Sequence, residues 1–304
     1  MERSVLASPA VASLPTPSAV LELLKPITWF PPMWAFACGV VSSGVSPQGR
    51  WPVIAAGVVL AGPLVCAMSQ AANDWFDREV DAINEPQRPI PSGRIPGRWG
   101  LYIAILWTAL SLAVAIALGP VVLAAALFGV ALAWAYSAPP LRLKQNGWWG
   151  NAAVGLCYEG LAWVTGAAVM LGGALPDGRI LALAALYSLG AHGILTLNDY
   201  KAIEGDRRMG VRSLPVQLGP KRAGYVCAAF FLVPQVIVAA LLAAWGRPGY
   251  ALAVVALLAV QAGMLVRFVR DPSARALWMS ALGVNFFVAG MMVSAFAVRS
   301  LAGG

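Results

Sequence analysis

Much of the acid in this chain is concentrated in two matched segments, NDWFDREVD at 73–81 and NDYKAIEGD at 198–206. They agree at Asn73 and Asn198, Asp74 and Asp199, Trp75 and Tyr200, Glu79 and Glu204, and Asp81 and Asp206. Each follows a long apolar run, and the whole chain of 304 residues carries only 13 Asp and Glu. Carboxylates at the edge of hydrocarbon are costly and mark functional sites. Two facing acidic clusters suit divalent cations held against a diphosphate. Magnesium takes one or two carboxylates and completes its shell with water and phosphate oxygens.

Helical spacing sorts these residues. If the helix ahead of residue 73 continues for a turn or two, Asp74, Asp77 and Asp81 fall within roughly 60° of one another. Asn73, four residues before Asp77, borders that face. Glu79 points about 140° away from Asp74 and falls outside it. On a continuous helix Asp199 and Asp206 also share a face and Glu204 points away, although Gly205 works against that continuity. A metal held there neutralises a leaving diphosphate. Arg88, Lys144 and Lys201 are the cations placed to assist, with arginine the fork-shaped binder of oxyanions. The alternative is that the carboxylates pair with Arg78, Arg88, Arg207 and Arg208 in a solvated loop.

The elements that must position these residues are membrane helices. The chain is 60% hydrophobic and 11% charged, against roughly 25% charged for a soluble domain. Nine apolar runs are long enough to span, at about 27–45, 52–73, 99–118, 120–137, 150–172, 180–199, 223–245, 249–268 and 277–298. The expected fold is all-α and integral to the membrane, with about nine helices around a central cavity capped by two acidic loops. Residues 1–26 read as a loosely ordered cytoplasmic tail without signal-peptide features, and 27–304 as a single transmembrane domain.

The net charge of +8 reports topology rather than nucleic acid. With the N-terminus cytoplasmic, Arg50, Arg179, Arg247 and Arg299 are the members of the 21 Lys and Arg that fall on the far side. That is the positive-inside pattern, and it suits anionic lipid and anionic substrates. It places both acidic loops in the cytoplasm, as expected for a bacterial inner membrane protein. The four cysteines lie within spans and lack metal-ligand spacing. The matched segments end spans that point the same way, which fits a parallel internal repeat.

Three further residues have chemistry to offer. Tyr136, eight residues before Lys144, ends a span on the acidic side and can hydrogen-bond a phosphate oxygen; a Pro-Pro helix stop with snorkelling cations is the alternative. His192, the sole histidine, lies seven residues before Asp199 and about 10 Å deeper. It can touch an acceptor, even ligate a metal inside it, or be a neutral histidine bonded between helices. Glu159 sits inside a span, where it shapes the acceptor cavity or is a neutral acid bonded to a neighbouring helix.

These motifs resemble those of the UbiA superfamily of intramembrane prenyltransferases. Both acidic segments and the nine-run layout carry the likeness. Within the superfamily, LKPITWFPPMW (24–34), RPIPSGR (88–94), YSAPPLRLK (136–144), CYEG (157–160) and LNDYKAIEGDR (197–207) are similar to chlorophyll and bacteriochlorophyll synthases. The resemblance implies magnesium-dependent ionisation of geranylgeranyl or phytyl diphosphate and transfer to a (bacterio)chlorophyllide propionate. It implies Asn73, Asp74, Asp77, Asp81, Asp199 and Asp206 as metal and diphosphate ligands, with Asp74, Asp77 and Asp199 central to catalysis. Arg88, Tyr136, Lys144, Asn198 and Lys201 would bind substrate, and His192 and Glu159 would face the acceptor. The second motif departs from aspartates four apart, because Ala202 stands where a middle acid is expected. A propionate is ionised at neutral pH, so its attack needs no general base. The scarcity of buried bases fits that chemistry. Rival readings are a hydroxybenzoate, quinone-precursor or haem acceptor, or a transporter that uses intramembrane carboxylates. Transporter sites usually lie near the midplane, whereas these acids gather at one face.

Overall fold

Proline opens most of the long helices of this chain, and small residues let them touch. The computed structural model describes residues 14–302. Of the expected tail, residues 1–13, including Arg3, lie outside the described residues. The rest of it contains a short helix, α1 (Pro17–Leu23), capped by the Thr16 hydroxyl, which accepts from the Ala19 N–H. The remaining helices are α2 (Phe30–Ser42), α3 (Trp51–Asn84), α4 (Trp99–Leu118), α5 (Pro120–Ser137), α6 (Gly147–Met170) and α7 (Gly178–Asp199). After them come α8 (Ile203–Arg208), α9 (Leu214–Leu218), α10 (Pro220–Ala244), α11 (Pro248–Phe268) and α12 (Pro272–Leu301). Pro120, Pro220, Pro248 and Pro272 stand at the first helical position, where a missing N–H loses nothing.

The architecture is all-α and multi-pass. Among the described residues eight helices are long and apolar enough to cross a membrane. The ninth expected span, 27–45, is α2 with 13 residues. That is about 20 Å of helix, short of a hydrocarbon core of about 30 Å. Pro26, Pro31 and Pro32 confine its start, with a separate 3₁₀ turn at Pro26–Thr28, and Gly44 at φ +75° follows its end. α3, in contrast, runs well beyond the expected 52–73 and carries the first acidic segment on regular helix.

Three apolar clusters hold the bundle. One joins α2 and α6 to the C-terminal helices through Trp163, Tyr187, Phe231 and Phe287. The other two pack α1 to α6 among themselves. α2 and α6 approach most closely at Gly39 and Gly166: a Cβ on Gly166 would run into the Phe36 backbone, and one on Gly39 into that of Trp163. Apolar side chains such as Ile105, Leu127, Phe128, Val236 and Leu252 are exposed on the outside, as lipid contact requires.

Among the described residues three π-helical stretches interrupt this regularity, Leu60–Cys66 in α3, Leu156–Leu161 in α6 and Met279–Gly283 in α12. The first accommodates Pro63, whose carbonyl accepts from the Trp107 indole at 2.9 Å. At the acidic end the connecting loops are tied together. The Gly147 N–H donates to the Arg212 carbonyl at 2.8 Å, and the Arg212 N–H donates to the Gln145 carbonyl at 2.9 Å. Asn84, which ends α3, reaches Met209 beyond α8. The two acidic segments therefore close one end of the same bundle.

Candidate active site

The stretch of α3 from Ala67 onward is regular α-helix, so its 3.6-residue period lines up Asp74, Asp77 and Asp81. Asp74 is 1% exposed. Its Oδ1 accepts from Lys25 Nζ at 2.6 Å and lies 3.4 Å from Arg88, while its Oδ2 is buried without a hydrogen-bond partner. Arg88 also donates to Asp81 at 2.8 Å and to Glu85 at 2.6 Å. Asp77 accepts from Lys144 at 2.6 Å and lies 3.5 Å from Arg142. Glu79, the acid assigned to the far side of the helix, is exposed.

The alternative expectation of plain ion pairing is thus met by Arg88 with Asp74 and Asp81, by Arg78 with Glu79, and by Arg208 with Glu204. The last two pairs are exposed and contribute little. The Arg88 and Lys25 pairs are different, because they neutralise a carboxylate that is almost fully buried.

The second segment folds otherwise than a continuous helix. α7 ends at Asp199, and Ala202 at φ −111° separates it from α8, so Asp199 and Asp206 do not share a helical face. The break falls where Tyr200 is fixed: its hydroxyl donates to the Pro220 carbonyl at 2.5 Å, and its ring packs edge-on to Phe268. Asp199 accepts from Asn151 of α6 at 3.1 Å. Tyr136, near the end of α5, lines the same cavity as Asn73 of the first segment and Asn198 and Asp199 of the second. Burial lowers the Lys144 ammonium from its ordinary range, against the pull of Asp77. Burial likewise raises the Asp206 carboxyl.

A cavity of about 510 Å³ lies beneath this end. Of the residues expected at the site, Asn73, Tyr136, Asn198, Asp199 and Lys201 line it. Asp74, Asp77, Asp81, Arg88, Lys144 and Asp206 are not in its lining; Arg88 pairs with Asp74 and Asp81, and Lys144 with Asp77. Its lining also includes Cys66, Ser69, Gln70, Asn151 and Tyr158. His192 and Glu159 are buried but are not in its lining. The His192 ring stacks on Phe230 with centroids 4.2 Å apart, and its Nε2 is 3.3 Å from the Trp148 carbonyl.

Among the described residues no three His, Cys, Asp or Glu side chains form a ready-made metal cage. Magnesium prefers one or two carboxylates, with the rest of its shell supplied by water and phosphate. The unpartnered buried Oδ2 of Asp74 is a fitting donor for it.

Lys25, Arg142 and Asn151 were not legible as site residues. Lys25 and Arg142 reach α3 from distant segments, and pairing over such separations leaves no periodic trace. Both share an unusual backbone. They are the non-glycine residues with positive φ among the described residues, at +47° and +37°. Strain of this kind costs on the order of 1–3 kcal/mol per residue and collects at functional sites. The short polar loops around them were the available signal.

Comparison with known proteins agrees with this fold. The UbiA prenyltransferase family matches residues 28–291. The chain is 57% identical over 289 residues to the bacteriochlorophyll synthase 33 kDa chain of Cereibacter sphaeroides, covering 95% of each. It is 40% identical over 290 residues to the chloroplastic chlorophyll synthase of Oryza sativa, covering 91% of this chain and 76% of that one. A UbiA homolog from Archaeoglobus fulgidus bound to GPP and Mg2+ superposes with a TM-score of 0.64 at 22% identity, over 93% of this chain and 99% of that one. By family match, sequence identity and architecture, the chain belongs to the UbiA prenyltransferase family.

Proposed function

We propose that this protein transfers a C20 isoprenoid, geranylgeranyl or phytyl, from its diphosphate to the propionate carboxylate of a (bacterio)chlorophyllide, with magnesium at the acidic end of the cavity. It is a membrane prenyltransferase of (bacterio)chlorophyll synthesis. The observation that carries the site assignment is the buried carboxylate stripe of α3, set beside Asp199 over one cavity. Asn73, Asp74, Asp77, Asp81, Asp199 and Asp206 hold metal and diphosphate. Bound there, magnesium supplies charge neutralisation for the leaving diphosphate.

The residues of the chain do the rest. Arg88, Lys144 and Lys201, joined by Lys25 and Arg142, contribute cationic donors to the phosphate oxygens. Tyr136 and Asn198 hydrogen-bond at the cavity wall. The bond between the allylic carbon and the diphosphate oxygen breaks, and its electron pair leaves with diphosphate. A carboxylate oxygen supplies the pair for the new ester bond, and no proton moves. His192 and Glu159 pack the walls behind the acceptor. The acidic end faces the cytoplasm of a bacterial inner membrane, as the distribution of Lys and Arg supports.

The test is to incubate membranes containing the protein with magnesium, geranylgeranyl diphosphate and bacteriochlorophyllide, and to follow the pigment by chromatography. Conversion to a far more hydrophobic pigment, abolished by EDTA and restored by magnesium, is expected. Diphosphate release with a hydroxybenzoate or haem instead, and none with bacteriochlorophyllide, would overturn the acceptor.

A further inference from the structure

The polar stripe of α3 does not stop at the carboxylates. Gln70 lies four residues before Asp74 and seven before Asp77, within about 40° of both, so it continues their face one turn further in. It lines the cavity, and its Nε2 donates to the Tyr158 hydroxyl of α6 at 3.1 Å. Tyr158 also meets Cys66 Sγ at 3.2 Å, and Cys66 reaches the Thr28 carbonyl at 3.4 Å. Cys66 and Tyr158 each belong to a π-helical stretch, one in α3 and one in α6. π-bulges of this kind recur at functional sites. Among the described residues the Gln70 amide makes only that one hydrogen bond, so its second N–H is available to the cavity.

We infer that Gln70, held by Tyr158, binds the acceptor carboxylate and sets it in line with the allylic carbon. The inference rests on the functional reading above and deepens it. The argument is one of depth and charge. Metal and diphosphate at Asp74 put the reacting carbon about one helical turn further in, which is the level of Gln70. A propionate brought there needs donors, because an unpaired carboxylate in an apolar wall is costly. A lysine or arginine would hold it firmly but would also repel the carbocation that forms beside it. A neutral amide binds the carboxylate without adding positive charge. Tyr158 is the positioning residue, since its hydroxyl fixes the rotation of the Gln70 amide.

The test uses the full-length protein with magnesium, geranylgeranyl diphosphate and bacteriochlorophyllide, alongside the methyl ester of that pigment. Gln70→Leu should raise the acceptor KM roughly tenfold or more, the scale for losing a hydrogen bond to a charged group. The KM for geranylgeranyl diphosphate should stay within about twofold, and more prenyl diphosphate should end as free alcohol. Pigment binding without diphosphate, followed by absorbance, supplies a second readout: wild type should prefer the free acid over the methyl ester, and Gln70→Leu should lose that preference. Tyr158→Phe should shift both readouts in the same direction by less, and it carries the test if Gln70→Leu does not fold. An unchanged acid preference in either variant, or an equal rise in both KM values, overturns the inference. Wild-type protein that binds the acid but forms no ester would sink the functional reading while leaving the Gln70 contact measurable by binding.

Discussion

Arg88 bridges Asp74, Asp81 and Glu85, and its side chain is three-quarters covered. Arg88→Ala leaves two buried carboxylates short of a donor, a loss of about 1–3 kcal/mol. The detergent-solubilised variant should therefore melt several degrees lower, and Arg88→Lys should recover little, because a point charge cannot span three partners. Asp74→Asn should lower turnover by at least about 100-fold, since even outer partners of a metal ligand cost 10–100-fold, with the helical circular dichroism unchanged. Retained turnover in Asp74→Asn would refute the assigned role of the carboxylate stripe. His192 gives the opposite expectation. Stacked on Phe230 and outside the cavity lining, it should tolerate replacement by Gln with less than a few-fold change in acceptor KM. A large rise would place it against the pigment after all. The α3 carboxylates could be read from spacing because one unbroken helix carries them. Their partners Lys25 and Arg142 could not, nor could Asn151, the partner of Asp199, because each arrives from another segment.

At the level of elements, α3 and α6 form the frame. Each holds a regular stretch that presents polar residues at the acidic end and a π-helical stretch deeper in. Hydropathy located both helices, yet it could not show the widened turns. Those depend on which neighbours fill the gap, as Trp107 does beneath Pro63. The same limit explains α2, whose apolar run reads as a full span but whose prolines leave a short helix buried against α6. Gly166→Leu should prevent that contact. Overpacking typically costs about 1–3 kcal/mol, and backbone against backbone has little room to relax. Folded yield in size-exclusion chromatography should drop sharply, whereas Gly249→Ala, at a position with open space, should leave it intact. Equal yields would mean that the α2–α6 approach is not needed for the fold.

For the whole molecule, the all-helical, multi-pass architecture was legible from apolar runs, and two matched motifs marked where the acidic segments lie. The break between Asp199 and Asp206 was not, because it is set by Tyr200 against Pro220 and Phe268. The orientation is open to direct test. A membrane-impermeant maleimide should label Arg207→Cys in inverted vesicles and Ser46→Cys in intact spheroplasts; the reverse pattern would invert the topology. Asp74 and Asp77 already hold Lys25, Arg88 and Lys144 as counterions. A metal ion arriving alone must evict an ammonium or guanidinium that then has no anion, and a diphosphate arriving alone must compete with the carboxylates for the same cations. Together they exchange partners and leave every charge matched. On the proposed function, entry would be a double displacement, with each ligand strengthening the hold on the other by the same factor. At low metal the site would then stay closed on itself, sparing the isoprenoid from solvolysis.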